Sequence, residues 1–338
     1  MTLIKSISGI RGTIGGSVGD SFTPIDIVRF TSAYAKFISL KGHDSKKLVV
    51  GRDARTSGVF VSNIVSGTLM GCGFDVVDIG LSTTPTVEVA VVKEKAAGGI
   101  ILTASHNPKE WNALKLLNNK GEFISSDDGK KILDLVENND YHFPEIDHIG
   151  SLQFDNTHND KHIDDVLNLE LVDVNLIKSK KFKVVLDAVN STGGILIPRL
   201  LDKLGVECIE LFCDPTGNFP HNPEPLAENL EEISKTVVSS GADLGIVVDP
   251  DVDRLALVCE DGSMFGEEYT LVSVADYVIS KTPGNTVSNL SSTRALSDVT
   301  KKYNCDYFVS AVGEVNVVEQ MKSCNAIIGG EGNGGIIY

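Results

Sequence analysis

Short β-branched runs alternate with longer stretches of helical period along almost the whole chain, and this alternation limits the folds open to it. Residues 48–50 end at Gly51, and 59–71 then carries apolar residues three and four apart. Runs at 75–79, 98–102, 182–186, 206–212, 244–248, 286–290, 306–312 and 325–328 read as further strands, with a helical stretch at 85–93. Strand, helix, strand repeated in this way implies right-handed crossovers and largely parallel sheets, hence an α/β protein.

Two stretches break the alternation. Residues 138–163 are polar and aperiodic and hold four of the seven His, which reads as a linker with solvated histidines. Residues 260–268 read as a turn followed by an acidic helix start. These breaks predict domains at 1–145, 146–262 and 263–338, in keeping with the two or three domains that 338 residues ordinarily make. The third segment stops at Tyr338 inside an apolar, strand-like run, so the chain is expected to be a piece of something longer.

Composition narrows the functional classes. The chain is 42% hydrophobic and 22% charged, enough apolar material for several cores. Its formal charge of −16 repels phosphate backbones and anionic lipid, so nucleic acid and membrane surfaces are poor partners. Cys72, Cys208, Cys213, Cys259, Cys305 and Cys324 show no C-x-x-C spacing, and no apolar run approaches bilayer length. A reduced, cytoplasmic protein is expected.

In open α/β sheets, ligands collect beyond the carboxyl ends of the strands. Those ends here read 51–55 (GRDAR), 103–108 (TASHNP), 249–254 (DPDVDR) and 329–335 (GGEGNGG), all polar and rich in Gly, Pro or charge. Four such ends from three segments suggest one composite cleft. Asp249, Asp251 and Asp253 alternate, so a loop would have to curl them onto one ion; three hard oxygens suit Mg²⁺, whereas a solvated acidic turn is the bland alternative. An EF-hand is disfavoured because its Gly and terminal Glu are missing.

Ser105 follows a strand and precedes His106 and Asn107, as either an activated nucleophile or a helix-capping serine. A serine hydrolase lacks support without a G-x-S-x-G elbow. Lys115 reads equally as an acid–base group or a solvated residue. Arg11, Arg52 and Arg55 stand beside glycines, where guanidinium and backbone can both reach an anion; taken singly each is as readily a solvated turn arginine. Glu331 between glycines suits paired sugar hydroxyls or is a plain turn, and no dinucleotide fingerprint surrounds it.

In order, GIRG, GRDAR, STTP, TASHNP, DPDVDR and a late GE-x-x-G loop resemble the α-D-phosphohexomutase superfamily, from Gly9 to Gly335. The resemblance implies three related α/β domains with mixed, largely parallel sheets around a cleft, and a fourth, phosphate-gripping domain absent here. It implies a phosphoserine at Ser105 and interconversion of hexose 1- and 6-phosphates through a bisphosphate, with a hexose 1,6-bisphosphate as activator. Asp249, Asp251 and Asp253 would hold Mg²⁺ together with a phosphoryl oxygen at Ser105. His106, Lys115, Arg11 and Arg254 would surround the reacting oxygens, and Arg52 and Arg55 would help bind the substrate phosphate. Glu331 and Asn333 would face sugar hydroxyls, with Asn333 standing where the family's sugar loop usually has a serine. Ser291 and Ser292 depart from the lysine of mannose- and glucose-specific members, whereas Glu314 after Gly313 resembles the phosphoglucosamine branch. The expected partner is a small sugar phosphate, acted on by a monomer or homodimer. Competing readings are a phosphoglucomutase/phosphomannomutase, a phosphatase with Asp249 as nucleophile, and a non-catalytic sugar-phosphate-binding fragment.

Overall fold

The computed structural model describes residues 2–6 and 9–338. The chain folds as two compact units, Met1–His162 with Asn190–Thr192 and Pro215–Phe219, and Ile163–Val189 with Gly193–Asp214 and Pro220–Tyr338. Among the described residues no helix is long and apolar enough to cross a membrane.

The first unit is built on strands β1 (Ile4–Ser6), β2 (Gly9–Thr13), β3 (Lys47–Arg52), β4 (Asp75–Leu81), β5 (Gly98–Leu102), β6 (Trp111–Leu117) and β7 (Leu152–Phe154). They lie in the order β1-β2-β6-β5-β3-β4-β7, parallel from β5 to β7 and antiparallel elsewhere. Its helices are α1 (Pro24–Leu40), α2 (Gly58–Gly71), α3 (Thr84–Lys93) and α4 (Ser126–Glu137). Phe30, Val61 and Ile132 from α1, α2 and α4 share one core, whereas Val87 and Val91 of α3 belong to another. The start of α1 is overdetermined. Thr23 caps it, Pro24 is preset for the first turn, and Asp26 reaches back to the Thr23 backbone.

The second unit carries two further sheets. After α5 (His158–Leu167), which begins in the first unit and crosses into the second at Ile163, and α6 (Val174–Lys180) come β8 (Lys183–Asp187), α7 (Gly193–Lys203), β9 (Glu207–Leu211), α8 (Glu231–Ser240), β10 (Leu244–Val248) and β11 (Leu255–Cys259). Then follow α9 (Glu267–Lys281), β12 (Asn285–Asn289), α10 (Ala295–Lys302), β13 (Tyr307–Ser310), α11 (Glu314–Cys324), β14 (Ala326–Gly330) and β15 (Ile336–Ile337). The sheets run β11-β10-β8-β9 and β15-β14-β12-β13.

All three sheets follow one path. The block β6-β5-β3-β4 of the first has the same order as both four-stranded sheets: first, second and third strands parallel, and the fourth returning antiparallel beside the third. The fold is therefore three related, mixed, largely parallel α/β sheets, as expected. Of the returning strands, β6 and β11 escaped the reading by alternation because they follow a short loop instead of a crossover helix, whereas β15 lies in the strand-like run that ends at Tyr338.

One stretch differs from expectation. Residues 138–163 are not simply a linker: β7 adds to the first sheet beside β4, and α5 begins at His158. His142 and His148 are exposed, but His158 is buried.

Candidate active site

Each return from third to fourth strand is a polar loop, and the three loops hold Ser105, the aspartates and Glu331. In the first, β5 ends at Leu102 and the chain turns through residues 103–110 before β6. Ser105 sits there with φ of 47°, a left-handed conformation unusual for a residue with a side chain, and is 8% exposed. It begins no helix, so it is not a capping serine. Its Oγ lies 3.3 Å from His106 Nδ1, and its backbone N–H donates to Thr103 Oγ1 at 2.9 Å. Arg11 Nη1 reaches Asn107 Oδ1 in the same loop at 3.4 Å. Lys115 stands on β6 opposite Ile101, with its ammonium 5.6 Å from the Phe123 ring centre.

Arg55 corrects one expectation. It does not present a guanidinium to an anion, because it is 1% exposed and all five of its donors are used inside the protein. Nε donates to Asp53 Oδ2 at 3.0 Å, Nη1 to the carbonyls of Pro108 (2.6 Å) and Trp111 (3.0 Å), and Nη2 to those of Ser105 (2.5 Å) and Asn107 (2.6 Å). Thr103 Oγ1 also donates to Asp53 Oδ2, at 2.7 Å. A buried ion pair thus grips the serine loop from behind. Arg52 is half-buried, with Nη1 on the Asp53 carbonyl at 3.2 Å; burial lowers its pKa, and the Asp78 and Asp53 charges partly offset this.

In the second sheet, β10 and β11 are joined by residues 249–254. Asp249 Oδ1 accepts from the backbone N–H groups of Asp253 and Arg254, each at 3.1 Å, and Val252 takes φ of 62°. These bonds curl the loop so that one carboxylate oxygen from each of Asp249, Asp251 and Asp253 comes within 4.8 Å of the others. Asp249 and Asp251 are fully buried. Three hard, anionic oxygens converging in this way fit a divalent cation such as Mg²⁺. Arg254 Nη1 lies 3.3 Å from Glu224 Oε1.

The third loop is held by a residue that sequence reading missed. Asn289, at the end of β12 and 2% exposed, donates from Nδ2 to Glu331 Oε1 at 2.6 Å. Its Oδ1 accepts from Ser291 N (3.2 Å), Ser291 Oγ (2.9 Å) and Ser292 Oγ (2.8 Å). The Gly313 N–H also donates to Glu331 Oε1, at 2.9 Å, and Asn333 Oδ1 accepts from Gly335 N at 3.1 Å. Gly334 has φ of 86°, and a Cβ there would fall 2.2 Å from the Leu255 carbonyl oxygen, so only glycine fits.

Within the second unit a cleft of about 190 Å³ is lined by Arg254, Ser291, Gly332, Asn333 and the carboxylates of Glu224, Glu267 and Glu268. Glu314, singled out from the sequence, instead occupies the first turn of α11.

Asp53 directly follows β3, and Asp187 and Asn289 end β8 and β12; each accepts through Oδ1 from the backbone N–H two residues on, at 2.9, 3.0 and 3.2 Å. This is an Asx turn, and its signal was present as an Asp or Asn directly after a hydrophobic strand.

Family models described as phosphoglucomutase/phosphomannomutase α/β/α domains I, II and III match residues 3–143, 160–262 and 266–338. A phosphoglucomutase/phosphomannomutase of Thermococcus kodakarensis is 32% identical over 97% of this chain and 72% of its own length. A protein of Methanosphaera stadtmanae named "Probable phosphoglucosamine mutase" is 34% identical over 98% of this chain and 72% of its own. The crystal structure of a phosphoglucomutase/phosphomannomutase family protein from Burkholderia thailandensis superposes with a TM-score of 0.83 at 26% identity, covering 99% of this chain and 73% of that one. With all three consecutive domain models matched, this chain belongs to the phosphoglucomutase/phosphomannomutase family and is a phosphohexomutase.

Proposed function

We propose that the enzyme interconverts glucosamine 6-phosphate and glucosamine 1-phosphate with Ser105 as phosphoryl carrier, in a chain divided into domains at residues 145 and 262. The observation that carries this is the clamped serine loop. A carrier hydroxyl must meet both ends of its substrate in one fixed position, and Arg55 fixes the Ser105 backbone while His106 stands at its Oγ. In the first half-reaction the bond between phosphorus and Ser105 Oγ breaks as a bond to the sugar oxygen forms, and in the second a bond from phosphorus to the other sugar oxygen breaks as the bond to Ser105 Oγ forms again. Between the two the bisphosphate turns end for end, so that its other phosphoryl group returns to Ser105. No outside reactant is consumed, and a hexose 1,6-bisphosphate serves to prime the serine.

Asp249, Asp251 and Asp253 would hold Mg²⁺, which when bound offsets the charge of the transferring phosphoryl group. His106 and Lys115 would move the proton of the attacking or leaving hydroxyl, and Arg11 and Arg254 would balance the developing charge. Glu331, Asn333 and the Gly313–Glu314 turn would orient the sugar hydroxyls, and Arg52 would contribute positive charge toward the phosphate. Three carboxylates around one cleft favour a sugar with a protonated 2-amino group over glucose or mannose. The phosphatase reading is disfavoured, since Asp249 Oδ1 already accepts two backbone hydrogen bonds and is a poor nucleophile.

The test is Ser105→Ala assayed with glucosamine 6-phosphate and its bisphosphate, alongside mass spectrometry of the wild type. Turnover should vanish with folding intact, and the wild type should carry one phosphoryl group on Ser105. Near wild-type turnover in the variant would sink the assignment. Replacing Glu268 by Gln should lower kcat/KM for glucosamine 6-phosphate relative to glucose 6-phosphate; an unchanged ratio would favour the phosphoglucomutase reading.

A further inference from the structure

A second convergence of ligating atoms lies in the first unit, among residues given no part in phosphoryl transfer. Glu94 caps the C-terminus of α3, Asp155 follows β7, and His158 opens α5. One ligand atom from each lies within 4.8 Å of the other two. The His158 side chain is 2% exposed, and its Nε2 faces both carboxylates, 3.3 Å from Glu94 Oε1 and 3.3 Å from Asp155 Oδ2. Despite these distances Nε2 makes no aligned hydrogen bond. A buried ring nitrogen has therefore been brought up to two carboxylate oxygens without bonding to either.

We propose that Glu94, Asp155 and His158 form a binding site for a divalent transition-metal ion, with Zn²⁺ the best match. The geometry distinguishes it from a magnesium site. Ligands about 2.0–2.1 Å from a tetrahedral zinc lie roughly 3.3–3.4 Å from one another, which is the observed nitrogen–oxygen separation. Octahedral Mg²⁺ at similar bond lengths would set its ligands roughly 2.9 Å apart and would favour oxygen over imidazole. One imidazole and two carboxylates leave a fourth position for water.

The surroundings supply an outer shell and one competitor. Lys47 Nζ holds the other Glu94 oxygen, Oε2, at 2.7 Å, and Asp155 Oδ1 accepts from the Thr157 N–H at 2.9 Å, so both carboxylates are oriented from behind. Lys161 Nζ, in contrast, sits 3.2 Å from Asp155 Oδ2, the oxygen that faces His158. Its side chain is 41% exposed on a flexible stem, so an incoming cation can displace it. Zinc bound here would tie the β7–α5 segment to the end of α3.

Zinc should be titrated by equilibrium dialysis into the full chain, in millimolar Mg²⁺ to keep the aspartate loop occupied, with metal content read by mass spectrometry. The expected result is one zinc per chain in the wild type, none in His158→Gln, and severalfold tighter binding in Lys161→Met. Glu94→Gln repeats the test should His158→Gln fail to fold. Equal zinc binding in wild type and His158→Gln would overturn the site. So would an absence of bound zinc in the wild type, which would mean that a proton on Nε2 suffices, or an affinity unaffected by Lys161→Met.

Discussion

The serine loop and the aspartate loop occupy the same place in their sheets, between the third strand and its antiparallel return, yet they are held in opposite ways. The serine loop is held from outside: Arg55, after β3, donates to three of its backbone carbonyls and to that of Trp111 at the start of β6, and is neutralised by Asp53. The aspartate loop holds itself, with its first carboxylate accepting from two of its own backbone N–H groups. The difference follows from the chemistry of each loop. Ser105 contributes one neutral hydroxyl and cannot organise the backbone around it, so a donor-rich side chain has to do so. Three carboxylates have acceptors to spare and need a cation more than they need a clamp.

Breaking the outside clamp should have the largest effect. Arg55→Ala leaves the Asp53 carboxylate and four carbonyls without their buried partner, a loss expected to destabilise by about 3–5 kcal/mol. Arg55→Lys should rescue little of this, because an ammonium cannot span the same five acceptors. Urea unfolding gives the number, and a change below about 1 kcal/mol would show that the clamp is not what holds the loop.

The self-held loop allows anchor and ligand to be separated. Asp249→Ala should cost about 2–3 kcal/mol even without metal, through the two bonds lost to a charged acceptor. Asp251→Asn should leave the metal-free protein unchanged or slightly stabler, since it relieves carboxylate repulsion, while abolishing Mg²⁺-dependent stabilisation, which at a hundredfold excess over Kd is about 2.7 kcal/mol. Thermal unfolding with and without Mg²⁺ distinguishes the two. Identical behaviour in both variants would erase the contrast drawn between the loops.

Asn289→Ala extends the comparison to the third sheet. It frees Glu331 and the two serines, with an expected cost of about 1–2 kcal/mol and a higher KM for the sugar phosphate. An unchanged KM would show that Asn289, although it holds Glu331, has no part in binding the substrate.

The smallest effect concerns Asp187, the corresponding strand-end residue of the second sheet. Burial works against a charge on His221, but Asp187 Oδ2 at 2.9 Å from Nε2, the Asn222 carbonyl at 2.8 Å from Nδ1 and the Glu232 charge together more than offset it, and the pKa of His221 is raised above its ordinary value. A pKa raised on folding adds stability that is complete below the unfolded value, near 6.5, and is lost as pH rises through the folded value. Wild type should therefore lose Tm relative to His221→Gln as pH climbs through and above that range. Parallel curves would contradict the pairing.

Much of the architecture was legible in the residues, and the reason is local. Strands at 75–81, 98–102 and 244–248 are dense in β-branched or buried apolar residues, and α2 and α3 carry helical spacing, so periodicity located them. The returning strands were harder, because β6 contains Asn112 and Lys115 and is defined by pairing with β2 and β5 on either side. β7 was read as linker because three exposed residues become a strand only through the free edge of β4.

The site divides along the same line. Residue types and their order were enough to single out Ser105, the three aspartates and Glu331, since the need for a hydroxyl, hard oxygens or a hydroxyl-accepting carboxylate is written in the side chains themselves. What those residues rest on was decided only by tertiary structure. Arg55 resembles any anion-binding arginine until folding places it under four carbonyls 50 to 56 positions away, and Asn289 resembles any loop residue until Glu331 arrives 42 positions later. His158 lies in a stretch polar enough to pass for solvated, and only the meeting of α3, β7 and α5 buries it against two carboxylates. Chemistry is a property of single residues and can be read from them, whereas support is a property of pairs distant in sequence and exists only after the chain has closed.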